Sequence, residues 1–141
     1  AMAVGASQQK VALMRRFGEA VGMAFQIQDD ILDYTRTAHT GKPANNDLRE
    51  GKITLPLLAV LDKAPAERRT ELLGRLACCH DDEESVEYLQ RTVENEGGLT
   101  FAAEVMRSYI ARAVEMLSEY EASDYRTALA NLCAYIAERD R

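Results

Sequence analysis

From Lys10 to Tyr34, apolar residues fall at Val11, Met14, Phe17, Val21, Ala24, Phe25, Ile31 and Leu32, close to a 3.6-residue period. The spacing predicts one long helix, with Ser7 placed to cap its start. Gly18 and Gly22 stand four apart on it, a spacing that lets another helix approach closely. Residues 35–50 read as a loop, because Gly41, Pro43, Asn45, Asn46 and Asp47 are turn formers. An apolar run through Ile53, Leu55, Leu57, Leu58 and Val60 predicts a second helix with Pro56 inside it. Proline breaks a helix interior but suits a first turn, so this helix starts near Thr54. Pro65 opens a short helix carrying Leu72, Leu73 and Leu76, and Asp81 or Asp82 caps the next, over Ser85–Glu96. Gly97-Gly98 ends that helix. A long helix over Leu99–Tyr120 follows, and Ser123 or Asp124 caps a last one through Leu129, Leu132 and Ile136. No segment alternates like a strand. The expected fold is all-α, a single helical domain over residues 1–141.

Composition narrows the function classes. The chain has 141 residues, 47% hydrophobic and 28% charged, enough for one domain with a real core. A net charge of −6 argues against general nucleic-acid binding, which needs a basic surface. No 18-residue apolar run predicts a transmembrane helix. Ala1–Ser7 lacks the basic and apolar regions of a signal peptide, and the chain begins abruptly. Cys78, Cys79 and Cys133 have no metal-ligand spacing and read as thiols of a reducing cytoplasm.

One stretch is out of place in this pattern. Asp29, Asp30 and Asp33 lie within five residues, beside Phe25, Ile27, Ile31 and Leu32. Asp29 and Asp33 are one helical turn apart, and like charges at that spacing cost roughly 0.2–0.5 kcal/mol per pair. A hard divalent cation, magnesium above all, would offset that repulsion while bridging to phosphate oxygens. Lys42 and Lys52, with Asp47 between them, lie on the segment that leaves this helix. Carboxylates and lysines converging on one cavity make a metal–phosphate clamp, able to stabilise a departing diphosphate. The apolar helices would shelter a carbocation or lipid tail from water. His39 reads as a surface histidine. The acidic run Asp81-Asp82-Glu83-Glu84 reads as capping and dipole chemistry.

The residues Phe25-Gln26-Ile27-Gln28-Asp29-Asp30-Ile31-Leu32-Asp33-Tyr34, then Gly41-Lys42-Pro43, Asp47-Leu48 and Gly51-Lys52-Ile53-Thr54-Leu55-Pro56, resemble the second aspartate-rich region of trans-polyprenyl diphosphate synthases. The stretch from Gly97-Gly98 to Glu138-Arg139-Asp140-Arg141 looks like their C-terminal helices. The resemblance implies an isoprenoid-synthase-type helical bundle and magnesium-dependent, head-to-tail condensation of isopentenyl diphosphate with an allylic diphosphate. It implies Asp29 as principal magnesium ligand and Asp30 and Asp33 as further or water-mediated ligands. It gives Lys42 and Lys52 the allylic diphosphate, as binding and catalytic residues. It places Phe25 and Gln26 near the isopentenyl substrate, and Arg139 or Arg141 at its diphosphate.

The departures define the expectation further. The family is about twice this length, and its first aspartate-rich motif, nearby arginine pair, upstream isopentenyl-binding residues and Lys-Thr pair have no counterpart here. The chain therefore looks like the C-terminal half of a prenyltransferase, expected to be inactive alone and to self-associate through apolar faces left uncovered. Two alternatives compete with this: a noncatalytic helical subunit that associates with a full-length synthase, and another diphosphate-ionising all-α enzyme such as a terpene cyclase. Asn45 stands where bacterial relatives often have glycine. It tolerates a left-handed backbone, so the turn is expected to survive.

Overall fold

The computed structural model describes residues 5–35 and 44–139, and His39, Lys42, Asp140 and Arg141 lie outside these. The described residues contain helices and no strand: α1 (Gln8–Thr35), α2 (Asn46–Arg49), α3 (Leu55–Lys63), α4 (Ala66–Cys78), α5 (Glu83–Asn95), α6 (Gly98–Leu117) and α7 (Asp124–Glu138). None of these helices is long and apolar enough to cross a membrane. The described residues fall into two compact units. One combines residues 5–28 with residues 104–139, and the other takes the described residues from Asp29 to Ala103.

In the first of these units, Phe17 and Ala20 of α1 pack with Ala113 and Leu117 of α6 and Cys133 of α7. The last helix starts as expected, with Ser123 extended and its hydroxyl accepting from the Arg126 N–H at 3.2 Å. Tyr120 donates to the Lys10 carbonyl at 3.2 Å, and Arg126 donates to the Tyr120 carbonyl at 2.9 Å. The close packing expected at Gly18 and Gly22 is not found. Among the described residues, a methyl group on either would meet no atom within 4 Å. Met23, Phe25, Val114, Leu132 and Tyr135 are exposed in this unit.

The Asp29–Ala103 unit has the larger apolar core. Tyr34, Leu48, Leu57, Val60, Leu72, Leu76, Val86, Leu89 and Val93 are all buried in it. Its helices end where local chemistry dictates. Thr54 is extended and Pro56 occupies the first turn of α3, the position that has no helical N–H to lose. The Arg69 guanidinium donates to the carbonyl of Leu61 at 2.9 Å and to those of Asp62 and Ala64, which α3 leaves without helical partners. Asp82 caps α5 by accepting from the Glu84 N–H and, at 2.5 Å, from the Ser85 hydroxyl. Gly97, at φ +78°, turns the chain from α5 into α6.

Charged groups tie α4 and α2 to α5. Tyr88 donates to Glu71 at 2.6 Å and accepts from Arg68, while the Arg75 guanidinium lies 4.8 Å from its ring centre. Arg49 of α2 makes two bonds to the Glu83 carboxylate, at 2.7 and 2.8 Å. These contacts have a pH signature. The Tyr88 hydroxyl and then Arg68 lower the pKa of Glu71, the Ser85 hydroxyl lowers that of Asp82, and Arg49 lowers that of Glu83. A carboxyl with a depressed folded pKa takes up its proton more readily in the unfolded chain. Its stabilisation is present above the unfolded pKa and is lost as pH falls through the folded one. The thermal midpoint is therefore expected to fall as pH drops below about 4. Replacing Arg49 by methionine should flatten part of that fall, as read by scanning calorimetry across the acid range.

Candidate aspartate–lysine site

The aspartates end α1. Asp29 and Asp30 are half-buried, whereas Asp33 is only 6% exposed. Helical periodicity gives Asp33 the same face as Asp29, one turn on. What distinguishes it is the chain that returns against it. The Asp33 Oδ2 accepts from the Asp47 N–H at 2.9 Å, and the Asp33 carbonyl accepts from the Asn45 N–H at 2.8 Å. Among the described residues, no three His, Cys, Asp or Glu side chains converge into a ligand set for a metal ion.

The segment expected as plain loop contains a single helical turn, α2. Asn45 precedes it at φ 61° and ψ 34°, the left-handed backbone expected at that position. Its Nδ2 donates to Gln90 Oε1 at 2.8 Å, and Gln90 Nε2 donates to the Tyr34 carbonyl at 3.2 Å. Leu48 is fully buried beneath α2. Gly51, at φ +68°, donates to the Leu48 carbonyl at 3.0 Å, and Lys52 donates its N–H to the Asp47 carbonyl at 2.8 Å. The turn is thus fixed by α1 on one side and α5 on the other.

Lys52 leaves this turn with its side chain 57% exposed. Its Nζ lies 2.5 Å from Glu50 Oε2 and 3.4 Å from Asp47 Oδ1. Glu50 and then Asp47 raise its pKa, so it carries full charge at neutral pH. Exposed pairs of this kind contribute little, because water screens them. A diphosphate oxygen can replace either carboxylate at small cost.

Tyr34 lies behind the site and is almost completely buried. Burial raises the pKa of its phenol, the Thr54 hydroxyl lowers it, and Asp33, Asp47 and Asp30 raise it further. The phenol is therefore neutral at any working pH, with burial as the main cause. Among the described residues, neither its oxygen nor that of Thr54 completes a well-formed hydrogen bond.

In the other unit, Phe25 is 42% exposed and Gln26 is also exposed. The Arg139 guanidinium lies over the Phe25 ring, 4.6 Å from its centre, and Gln28 Nε2 donates to the Arg139 carbonyl at 2.6 Å. Of the residues singled out from sequence, the structure ties Asp33, Asp47 and Lys52 into one turn. It describes Asp29, Asp30, Phe25 and Gln26 along α1, and Lys42 lies outside the described residues. Sequence reasoning missed Gln90, Glu50 and Tyr34. Glu50 carried a signal, an acid two residues before the lysine. Gln90 carried none, because it meets Asn45 from 45 residues away.

Half-exposed carboxylate oxygens are hard donors, and they fit magnesium, which takes one or two carboxylates and completes its shell with water and substrate phosphate. A complete protein cage is not required for that mode of binding.

The family model described as Polyprenyl synthetase matches residues 1–95. The short chain isoprenyl diphosphate synthase of Methanothermobacter thermautotrophicus is 34% identical over 137 residues, covering 96% of this chain and 42% of that protein. The all-trans-nonaprenyl-diphosphate synthase of Rhodobacter capsulatus is 39% identical over 127 residues, covering 89% of this chain and 38% of that protein. This chain thus spans about two-fifths of the length of these curated relatives. The crystal structure of a polyprenyl synthase from Caulobacter crescentus, complexed with calcium and isoprenyl diphosphate, is similar with a TM-score of 0.84 and 31% identity. It matches over 97% of this chain and 42% of its own. A geranylgeranyl pyrophosphate synthase from Bacteroides thetaiotaomicron gives a TM-score of 0.87 at 30% identity, over 98% of this chain and 46% of its own. With the family model spanning two-thirds of its residues and its helices superposing on solved prenyl synthases, the chain belongs to the polyprenyl synthetase family.

Proposed function

We propose that this chain carries one half of a site that joins isopentenyl diphosphate to an allylic diphosphate, head to tail. The supporting observation is the 2.9 Å bond from the Asp47 N–H to Asp33, which hangs the Lys52 turn from the helix that presents Asp29 and Asp30. Asp29 and Asp30 would hold magnesium. When bound, the ion supplies Lewis-acid stabilisation of the charge that develops on the departing diphosphate. Lys52 exchanges Glu50 and Asp47 for diphosphate oxygens and orients that group. Lys42, eleven residues after Ile31, is assigned to the same group by its place in the motif. Phe25 and Gln26 are assigned to the isopentenyl substrate. Exposed Met23, Phe25, Val114, Leu132 and Tyr135 support self-association through apolar surface.

The reading places the other half of the clamp on sequence that this chain does not carry, so the 141 residues alone should make no product. The test is incorporation of labelled isopentenyl diphosphate into an extractable prenyl product. The chain alone, with magnesium and an allylic diphosphate, should give none. A chimera in which it replaces the matching segment of the Caulobacter crescentus synthase should give magnesium-dependent product. Elongation by the isolated chain, or a folded chimera without activity, would overturn the proposal.

A further inference from the structure

We propose that Asp33 is a positioning residue for Lys52 and not a metal ligand, although it is the third aspartate of the DDxxD stretch. The inference rests on the prenyl-transfer reading, and it changes which carboxylates do the binding. Three observations carry it. First, Asp33 is buried to 6% exposure while Asp29 and Asp30 are half-buried, so its surroundings differ from those of its neighbours in the motif. Second, its Oδ2 is occupied by the Asp47 N–H, and its own carbonyl takes the Asn45 N–H. Third, the residue that Asp33 holds is the one that carries the lysine: the Asp47 carbonyl accepts the Lys52 N–H at 2.8 Å.

The two bonds from Asp33 bracket Asn46, the first residue of α2. One fixes the left-handed Asn45 and the other fixes Asp47. From Asp47 the constraint passes on directly. The Asp47 carbonyl accepts the Lys52 N–H at 2.8 Å, and Asp47 Oδ1 faces Lys52 Nζ at 3.4 Å. Asp33 therefore acts on the lysine through a single intervening residue. A part-buried backbone N–H left without its acceptor is costly, so loss of the Asp33 oxygen should release the turn. The bond to the Asp47 N–H needs an oxygen acceptor and no negative charge. That separates positioning from metal binding: asparagine keeps an acceptor oxygen but is a poor magnesium donor compared with a carboxylate.

The experiment uses the 141-residue chain and the variants Asp33→Asn, Asp33→Ala, Asp29→Asn and Lys52→Met. Amide hydrogen exchange is read at Asp47 and Lys52 by NMR, and magnesium pyrophosphate affinity by calorimetry. Exchange at Asp47 should stay slow in wild type, Asp33→Asn and Asp29→Asn, and speed up about tenfold or more in Asp33→Ala. Pyrophosphate affinity should stay within about threefold of wild type in Asp33→Asn and fall by about tenfold in Asp33→Ala. That fall should vanish when Asp33→Ala is made in the Lys52→Met background, because the two act through one contact. Asp33→Asn losing affinity as severely as Asp29→Asn would overturn the proposal. Additive losses in the double variant, or unchanged Asp47 exchange in Asp33→Ala, would do the same. If Asp33→Ala does not fold, slow Asp47 exchange in Asp33→Asn supports the proposal and fast exchange overturns it. If the isolated wild type binds no magnesium pyrophosphate, the same affinities are read in the Caulobacter crescentus chimera with the same expected and overturning results, and exchange at Asp47 in the 141-residue chain decides whether Asp33 holds the turn.

Discussion

Gly98→Ala is expected to destabilise the protein by about 2 kcal/mol, even though alanine is the better helix former. Gly98 is the first residue of α6, and a Cβ placed on it would lie 2.4 Å from the Pro56 carbonyl oxygen. It would also lie 3.0 Å from Val93 Cγ1 and 3.1 Å from the Val93 carbonyl oxygen. A flexible side chain could swing aside, but the nearest atom here is backbone in the first turn of α3, where the proline ring restricts adjustment. Helix propensity returns at most about 1 kcal/mol, and less at a helix end than in its interior. Forcing backbone apart costs about 1–3 kcal/mol or more, so the steric cost wins. In a chain of this size the loss corresponds to a fall of roughly 5–10 °C in thermal midpoint. Gly18→Ala is the matched control. Gly18 is exposed on α1 with nothing within 4 Å of its would-be Cβ, so alanine there should add up to about 1 kcal/mol. Thermal and urea unfolding of the two variants should move in opposite directions, and a stabilised Gly98→Ala would refute the close approach of α6 to α3.

Asp29→Ala is expected to give the largest loss of activity, about 100-fold or more in turnover of the chimeric enzyme. Asp29 is a half-buried carboxylate one turn before Asp33, and alanine removes a hard oxygen donor without disturbing the Asp33–Asp47 bond. The loss equals about 2.7 kcal/mol of transition-state stabilisation. It should appear in turnover and in the magnesium concentration for half-maximal rate, with the thermal midpoint little changed. Lys52→Met should instead act mainly on the allylic diphosphate, because its side chain is exposed and its present partners are carboxylates that a diphosphate displaces. A full-activity Asp29→Ala chimera would remove Asp29 from the metal site.

Most of the helices were legible in the sequence, because amphipathic spacing and capping act within a few residues. Thr54 and Pro56 marked the start of α3, Asp82 that of α5, and Ser123 that of α7, and each stands at that boundary in the structure. The left-handed backbone at Asn45 was expected from the resemblance, because asparagine tolerates it where relatives often carry glycine. The single-turn helix α2 was not, since four residues carry no period and this turn is stabilised mainly from outside by Asp33, Gln90 and Glu83. The glycines show the same limit. Gly18 and Gly22 had a packing spacing and open surroundings, whereas Gly98, read only as part of a helix stop, makes the close approach.

The sequence by itself determined the all-α class, the caps, and the chemical character of the site: three carboxylates on one helix and a lysine-bearing segment after it. Those follow from local periodicity and from the acid–base chemistry of named side chains. The different surroundings of the three carboxylates were decided by tertiary structure alone. Spacing makes Asp29 and Asp33 equivalent, one turn apart on the same face. They differ because the segment containing α2 returns to α1, covers Asp33 and presents it with two backbone N–H groups. Burial and hydrogen bonding across the chain, which no helical period encodes, set the surroundings of each aspartate.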